Sequence, residues 1–330
     1  MWNRFPLASG LLWALVACQA TPMPLDQDVN VDPGAPYLLV LGTAQDGGLP
    51  QIACRNECCE AARNDPSRRR LVTSLLLVDP RDGRRWIFDA SPALPLQVEL
   101  ARGHGGPGID APGRPALFDG VFLTHAHIGH YSGLIQFGRE AYGSAPVDLI
   151  GTARMADFLQ TNGPWSLLFD GGHARSVTLT PDEPFTLASD LRVTAIQVPH
   201  RDEFSDTVGF VIEGPSRTAL YLPDIDKWSR WDRPLADVLE AVDLAFLDGT
   251  FYGPDELPGR DMADVPHPFI VETIEALTQG PALRSRSLLD RVWFTHLNHS
   301  NPAAQPNSAA AAAIEAAGAH VLQEGARLGL

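Results

Sequence analysis

The amino-acid sequence predicts an α/β fold of four layers, αββα, in which two β-sheets pack face to face and helices cover the outer faces. Three observations carry this. Short apolar runs rich in β-branched and aromatic residues recur in both halves of the chain. Segments with helical spacing of apolar residues fall between those runs. The 29 glycines and 28 prolines are scattered between them as turn punctuation. A sheet with two apolar faces must bury both, one against a second sheet and one beneath helices, and the alternation supplies both covers. With 330 residues, 45% of them hydrophobic, the chain can bury a sizeable core. No linker is visible, and no repeat with a period of about 20 to 50 residues, so residues 37–330 read as one domain.

In chain order, Tyr37 to Thr43 is an apolar strand running into an Asp46-Gly47-Gly48 turn. Thr73 to Val78 and Arg85 to Phe88 flank Asp82-Gly83 as a hairpin. Leu94 to Ala101 is helical, and residues 103–113 form a loop rich in Gly and Pro. Gly120 to Thr124 is a buried strand, and helical spacing begins after His130 at positions 131, 134, 135 and 138. Val147 to Ile150 is a strand and Arg154 to Leu159 a helix. In the second half, strands are expected at Ser176 to Leu179, Leu191 to Val198, Thr207 to Ile212, Ala219 to Leu222, Leu244 to Asp248 and Val292 to His296. Helices are expected at Val238 to Ala241, Phe269 to Leu277 and Ser308 to Ala317.

The formal charge of −15 argues against the basic face that a nucleic-acid backbone needs, so the expected partner is a small molecule. Lys227 is the one lysine, and Arg68-Arg69-Arg70 reads as a solvated charge run. At the N-terminus, Arg4 precedes the uncharged run Leu11 to Ala17, which is too short to span a bilayer and suits a secretory signal. Leu15-Val16-Ala17-Cys18 resembles the lipobox of bacterial lipoproteins. That resemblance implies a signal peptide over residues 1–18, lipidation of Cys18, and a flexible tether over 19–36. The protein is then expected to be exported and lipid-anchored in the periplasm or cell envelope, meeting the membrane only through its lipid. Cys54, Cys58 and Cys59 remain. Three is an odd number, which excludes a complete disulfide framework and leaves either one bridge or a structural metal held by thiolates in a C-x3-C-C spacing.

Three of the ten histidines fall in the stretch Thr124-His125-Ala126-His127-Ile128-Gly129-His130. In extended chain, residues i and i+2 point the same way, so His125 and His127 converge at the end of a strand, with His130 close by. H-x-H is a recurrent way to present two imidazole nitrogens to one metal ion. Further ligands must come from elsewhere, and Asp89, His200, Asp224, His296 and His299 all lie in loops just after apolar strands.

The order Asp89, His125-x-His127-x-x-His130, His200, Asp224, His296 resembles the metallo-β-lactamase fold superfamily. "LGTAQDGGLPQ", the cysteine cluster, "SLLLV", "WIFDASP" and "THLNHSNP" are similar to the branch of coenzyme PQQ synthesis protein B. The resemblance covers roughly Tyr37 to the C-terminus. It implies a first metal site from His125, His127 and His200, a bridging Asp224, and a second site that includes His130 and His296. It also implies Asp89 as a residue that orients ligands, and a structural zinc on Cys54, Cys58 and Cys59. The superfamily motif is H-x-H-x-D-H, and Gly129 stands where its aspartate would be. The first site is therefore expected to be well formed, and the second weak, empty or rescued by His299.

The function so implied is that of a zinc-dependent hydrolase using a metal-bound hydroxide on an ester, phosphodiester or related bond, with Asp224, His267 and His299 as candidate catalytic groups. Arg201 is a further candidate for binding an anionic substrate. One alternative is an enzyme of quinone-cofactor metabolism using Fe2+ and oxygen at the same residues. Another is a non-catalytic, metal-binding periplasmic accessory protein. His104, His173 and His320 carry no motif and read as packing or surface residues.

Overall fold

The computed structural model describes residues 28–330 apart from 109–110, 258, 260–261, 263–264 and 279–285. The segment expected to be a signal peptide, with Cys18 and the first part of the tether, lies outside the described residues. Among the described residues, fourteen strands form two seven-stranded sheets. The first contains β1 (Tyr37–Gly42), β2 (Ser74–Val78), β3 (Arg85–Phe88), β4 (Gly120–Phe122), β5 (Val147–Gly151) and β6 (Ala174–Thr178). The second contains β7 (Pro184–Ala188), β8 (Leu191–Gln197), β9 (Val208–Glu213), β10 (Thr218–Leu222), β11 (Leu244–Asp248), β12 (Val292–Thr295) and β13 (His320–Val321). A last strand, β14 (Arg327–Gly329), returns to the first sheet beside β1. The orders are 14-1-2-3-4-5-6 and 13-12-11-10-9-8-7.

Alternation along each strand builds the layers. Leu38 and Val40 of β1 face inward with Phe88, Phe122, Phe210, Tyr221 and Phe246, and form the core between the sheets. Leu39 and Leu41 face the other way, onto Leu94, Tyr131, Leu134, Met155 and Leu159 of the covering helical segments. The second sheet repeats the arrangement: Leu220, Leu222, Ala245 and Leu247 pack beneath Leu235, Leu239, Ile270, Leu277 and Ile314. The αββα sandwich expected from the sequence is the fold observed. Within the inner core, Phe88 stacks on Phe122 at 4.8 Å and meets Phe210 and Tyr221 edge-on at 5.4 and 6.0 Å.

Some elements differ from expectation. The segment after β4 turns helical at Ile128, before His130, and continues as a 3-10 helix over Ser132–Phe137. The strand β7 was not anticipated, because "PFTLA" begins with proline and none of its side chains is fully buried. Residues 28–36, read as the end of a tether, instead run along the first sheet. Val29 exchanges backbone hydrogen bonds with Arg327 and Gly329, each 2.9 Å, and Asp28 accepts from the Arg327 guanidinium. The folded unit thus begins upstream of Tyr37.

The pairing directions decide where chemistry can sit. β1, β3 and β4 all run the same way, as do β8, β10, β11 and β12. The sheets are sewn together at the carboxyl ends of these strands: Gln45 N donates to Leu297 O at 2.9 Å, Leu297 N to Thr43 O at 2.8 Å, and Val208 N to Thr124 O at 3.1 Å. Loops leaving β1, β3, β4, β8, β10, β11 and β12 therefore meet along one edge.

Phe88→Ala removes the central ring of the inner core, and the cost expected is about 3–5 kcal/mol. Equilibrium urea unfolding reads this directly, and a loss below about 1 kcal/mol would show that Phe88 is not central to that core.

Candidate metal centre

Six histidines and Asp224, all buried or half-buried, converge on that edge, with further carboxylates beside them. His125 and His127 follow β4, His200 follows β8, Asp224 follows β10, and His296 follows β12. His130 lies within the helical turn Ile128–Tyr131, and His267 comes from the loop before the helix Ile270–Thr278. His296 has a left-handed backbone, φ 59°, an uncommon conformation for a side-chain-bearing residue.

The donor atoms form two adjoining sets. In the first, His125 Nε2 and His127 Nδ1 are 2.8 Å apart, and His127 Nδ1 is 3.3 Å from His200 Nε2. Asp224 Oδ2 lies 3.3 Å from both His125 Nε2 and His200 Nε2. In the second, Asp224 Oδ2 lies 3.8 Å from His130 Nε2 and 3.9 Å from His296 Nε2. Asp46 Oδ1 is 3.6 Å from His130 Nε2 and 3.8 Å from His296 Nε2. Four ligands about 2.1 Å from a tetrahedral ion stand roughly 3.4 Å apart, so the first set, and Asp46 with His130 and His296, have the spacing of a metal site. The inward atoms His130 Nε2, His296 Nε2 and Asp46 Oδ1 are buried and have no hydrogen-bond partner. Orphaned donors facing one point are what a cation would satisfy.

The outward nitrogens explain which atom each ring presents. His130 Nδ1 is held by Asp89 Oδ2 at 2.7 Å, His125 Nδ1 by Thr124 Oγ1 at 3.0 Å, and His296 Nδ1 by Thr250 Oγ1 at 2.8 Å. Each of these rings therefore offers Nε2. His127 is reversed: its Nε2 meets Glu203 at 2.9 Å, which leaves Nδ1 facing inward. Thr124 donates to Asp89 Oδ1 at 2.9 Å and Thr250 donates to Asp248 Oδ1 at 2.7 Å, so two buried aspartates orient the ligands through hydroxyls. Asp89 also accepts the Thr124 backbone amide at 2.9 Å.

Electrostatics point the same way. Burial would raise the pKa of Asp224, but His200, His267, His296 and a hydrogen bond from His125 hold it well below the usual carboxylate range. Burial disfavours charge on His130, yet Asp89, Asp46 and Asp224 push it up to about 9. His267, against the same burial, is pushed up to about 10 by Asp248 and Asp224, at 2.9 and 3.2 Å. His125 moves in the opposite direction, well below its usual value, through burial and the neighbouring His130. The carboxylates demand positive charge that protons or divalent cations can supply.

The structure brings together His125, His127, His130, His200, Asp224, His267 and His296, with Asp89 directly behind them. It does not bring His299 into this centre. His299 lies with Cys54 and Cys59, their donor atoms mutually within 4.8 Å, and its Nδ1 meets Asn298 Oδ1 at 3.0 Å. Cys58 is outside that group and packs against the second sheet's core. The described cysteines are free, and burial with the nearby Cys54 thiol pushes the Cys59 thiol up to about 12, a penalty that a bound cation would relieve. Arg201 is paired with Glu203 at 3.3 Å. His104, His173 and His320 take packing roles against Tyr37, the Ser144 carbonyl and Trp293. Asp46, Asp248, Thr124, Thr250 and Glu203 escaped the sequence reading. Asp248 carried the signal used for Asp224, an aspartate ending an apolar strand, whereas Asp46 was masked by its Gly-Gly turn. Gly129 offers no carboxylate to the second cluster, and Asp46, in the loop after β1, places one 3.6 Å from His130 Nε2.

Comparison with known proteins identifies the family and the fold. Residues 84–320 match the family model of the beta-lactamase superfamily domain. Coenzyme PQQ synthesis protein B of Methylobacterium nodulans is 30% identical over 88% of this chain and 99% of its own length. That of Methylobacterium radiotolerans is 28% identical over 89% and 99%. Among solved structures, Zn(2+)-bound PqqB from Methylobacterium extorquens superposes with a TM-score of 0.69 at 24% identity, covering 89% of this chain and 100% of that one. A diphosphatase from the PhnP family superposes with a TM-score of 0.60 at 19% identity, covering 90% and 97%.

Asp89→Asn keeps a residue that tolerates the left-handed backbone at this position, φ 64°, while removing the charge behind His130 and Thr124. Chelator competition is expected to show metal affinity falling about 10–100-fold; unchanged affinity would mean that Asp89 does not orient the ligands.

Proposed function

Because the chain belongs to the beta-lactamase superfamily, on the branch of coenzyme PQQ synthesis protein B, we propose that it is a metal-dependent hydrolase acting on an ester, phosphodiester or related bond of a small molecule. The observation that carries this reading is the convergence of His125 Nε2, His127 Nδ1 and His200 Nε2 beside Asp224, with the outward nitrogens of His125 and His127 engaged elsewhere. Such a set holds a divalent cation, which when bound brings a coordinated water to a pKa of roughly 7 and polarises the bond under attack. Zinc is the metal proposed.

The chain's own residues supply the rest. Asp224, buried and facing both donor sets through Oδ2, fixes the spacing between them and is placed to orient a water or accept its proton. His267 is held at Nδ1 by Asp248, which leaves Nε2 to carry a proton to a leaving group. Glu203 locks the His127 ring and also engages Arg201, leaving that guanidinium less free to receive a phosphodiester than its sequence position suggested. The cysteines with His299 are proposed to hold a separate structural zinc, in which His299 serves rather than in catalysis. Membership of the superfamily does not carry a β-lactam substrate with it.

A second reading is favoured by the names of the relatives, which cover nearly nine-tenths of this chain: a step of quinone-cofactor metabolism, proposed here to use iron and oxygen at the same residues. Metal analysis with an oxygen electrode separates the two, since bound iron and oxygen uptake support the second reading and zinc with anaerobic turnover the first. Filled sites without turnover on any substrate would leave the metal-binding accessory protein. Export and anchoring through Cys18 belong to the same proposal and rest on the Leu15-Val16-Ala17-Cys18 motif.

A zinc-reconstituted screen over carboxylic esters, lactones, phosphodiesters and β-lactams tests the main reading. His127→Ala is expected to lower kcat/KM by at least about 1000-fold, and His267→Gln to lower kcat by about 100–10,000-fold, the usual worth of a positioned acid or base. Hydrolysis that survives His127→Ala would place the catalytic centre elsewhere.

A further inference from the structure

The position that the H-x-H-x-D-H motif gives to aspartate is Gly129, which has no ligand to offer. Its backbone is not left-handed, so conformation does not explain the glycine. Space does. A Cβ added at Gly129 would overlap Asp46 Oδ1 and stand 2.8 Å from its Cγ and 3.0 Å from its Cα. The Asp46 carboxylate thus fills the volume that a side chain at 129 would enter. Because the backbone of Asp46 is crowded as well, rotation of its side chain alone could not make room.

Asp46 has the surroundings of a ligand. Its Oδ1 is buried and without a hydrogen-bond partner, while Oδ2 is anchored by Gln45 Nε2 at 3.3 Å. Oδ1 stands 3.6 Å from His130 Nε2 and 3.8 Å from His296 Nε2, two further buried atoms without partners. Asp224 Oδ2 closes the set at 3.8 and 3.9 Å from the same two nitrogens. Burying a carboxylate oxygen is costly, and the His130 and His296 rings 3.6 and 3.8 Å away offset that cost only from beyond hydrogen-bond distance.

We propose that Asp46 is a ligand of the second cation, supplying from the end of β1 the carboxylate that the motif draws from position 129, and that Gly129 is required to make room for it. The proposal rests on the metal-dependent reading above. It makes the second site a set of two imidazoles and two carboxylates rather than a defective copy of the first.

A reciprocal exchange tests it in the full-length protein, with bound zinc counted after dialysis against a weak chelator and fold monitored by circular dichroism. Asp46→Asn is nearly isosteric and is expected to lose one zinc per chain while the first site stays loaded. Gly129→Asp alone is expected to lose it too, because two side chains compete for one volume. The double variant Asp46→Gly with Gly129→Asp is expected to recover the second zinc, with affinity at least about 10-fold above either single variant. The proposal is overturned if Asp46→Asn keeps the full zinc content, if the double variant binds no better than the singles, or if the unmodified protein itself holds no second zinc at these histidines. Failure of the underlying reading looks different: zinc would be missing from the His125, His127 and His200 set as well, and His127→Ala would change neither zinc content nor activity.

Discussion

Burial of the Asp224 carboxylate is the constraint on which the rest of the site depends. It shares one edge with Asp46, Asp89 and Asp248. The ends of β3, β10 and β11 deliver Asp89, Asp224 and Asp248 essentially out of water. Charges so placed persist only if paired and hydrogen-bonded. The histidines answer part of this, but they also repel one another when protonated, and His125 is driven towards its neutral form by burial and by that repulsion. Neutral imidazoles beside buried carboxylates leave negative charge in excess. Divalent cation binding would resolve the conflict, since it would neutralise the carboxylates while using the imidazoles as neutral ligands.

The two sheets solve the orientation problem in the same way. On the first, Asp89 reaches His125 through Thr124 and holds His130 directly. On the second, Asp248 reaches His296 through Thr250 and holds His267 directly. Each sheet therefore carries one relay of an aspartate, a threonine and two histidines, and Asp224, from the second sheet, faces histidines of both. This repetition follows from the packing: parallel strand ends lie side by side, so a strand-terminal aspartate faces the loop of its neighbour. The rigidity comes from the sandwich, because Phe88 directly precedes Asp89 and is fixed in the inner core. Position, tautomer and charge are thereby set by the fold before any ligand arrives.

Most of the fold was legible because both of its signals are local. Strand alternation and turn residues are visible within a few positions, and the sandwich follows from having too many apolar faces for one sheet. What escaped was decided by pairing across the chain. The strand β14 is ordered by edge pairing with β1 and Val29 in turn pairs with Leu328 of β14, and neither segment carries a strong apolar pattern. In the site, residues at the ends of strongly apolar strands were readable, and His125, His127, His200, Asp224 and His296 were found that way. Thr124 and Thr250 were not, since a threonine beside a histidine has no signature until an aspartate on a neighbouring strand gives its hydroxyl a role. His299 shows the converse. Its motif context matched that of His296, but three residues further along, the chain has turned towards Cys54 and Cys59.

The case of Gly129 bears on how motifs should be read. A motif written along one strand assumes that a ligand's place in space follows from its place in sequence. At an edge where seven strand ends meet, that assumption is weak, because a volume of one side chain can be entered from several loops. What the second cluster requires is a carboxylate near His130 and His296, not an aspartate at a given spacing. Occupation of that volume by Asp46 and the absence of a side chain at 129 are one fact seen from two sides, since both carboxylates cannot be present. A missing motif residue is therefore evidence of a lost site only after the neighbouring strand ends have been searched for its charge.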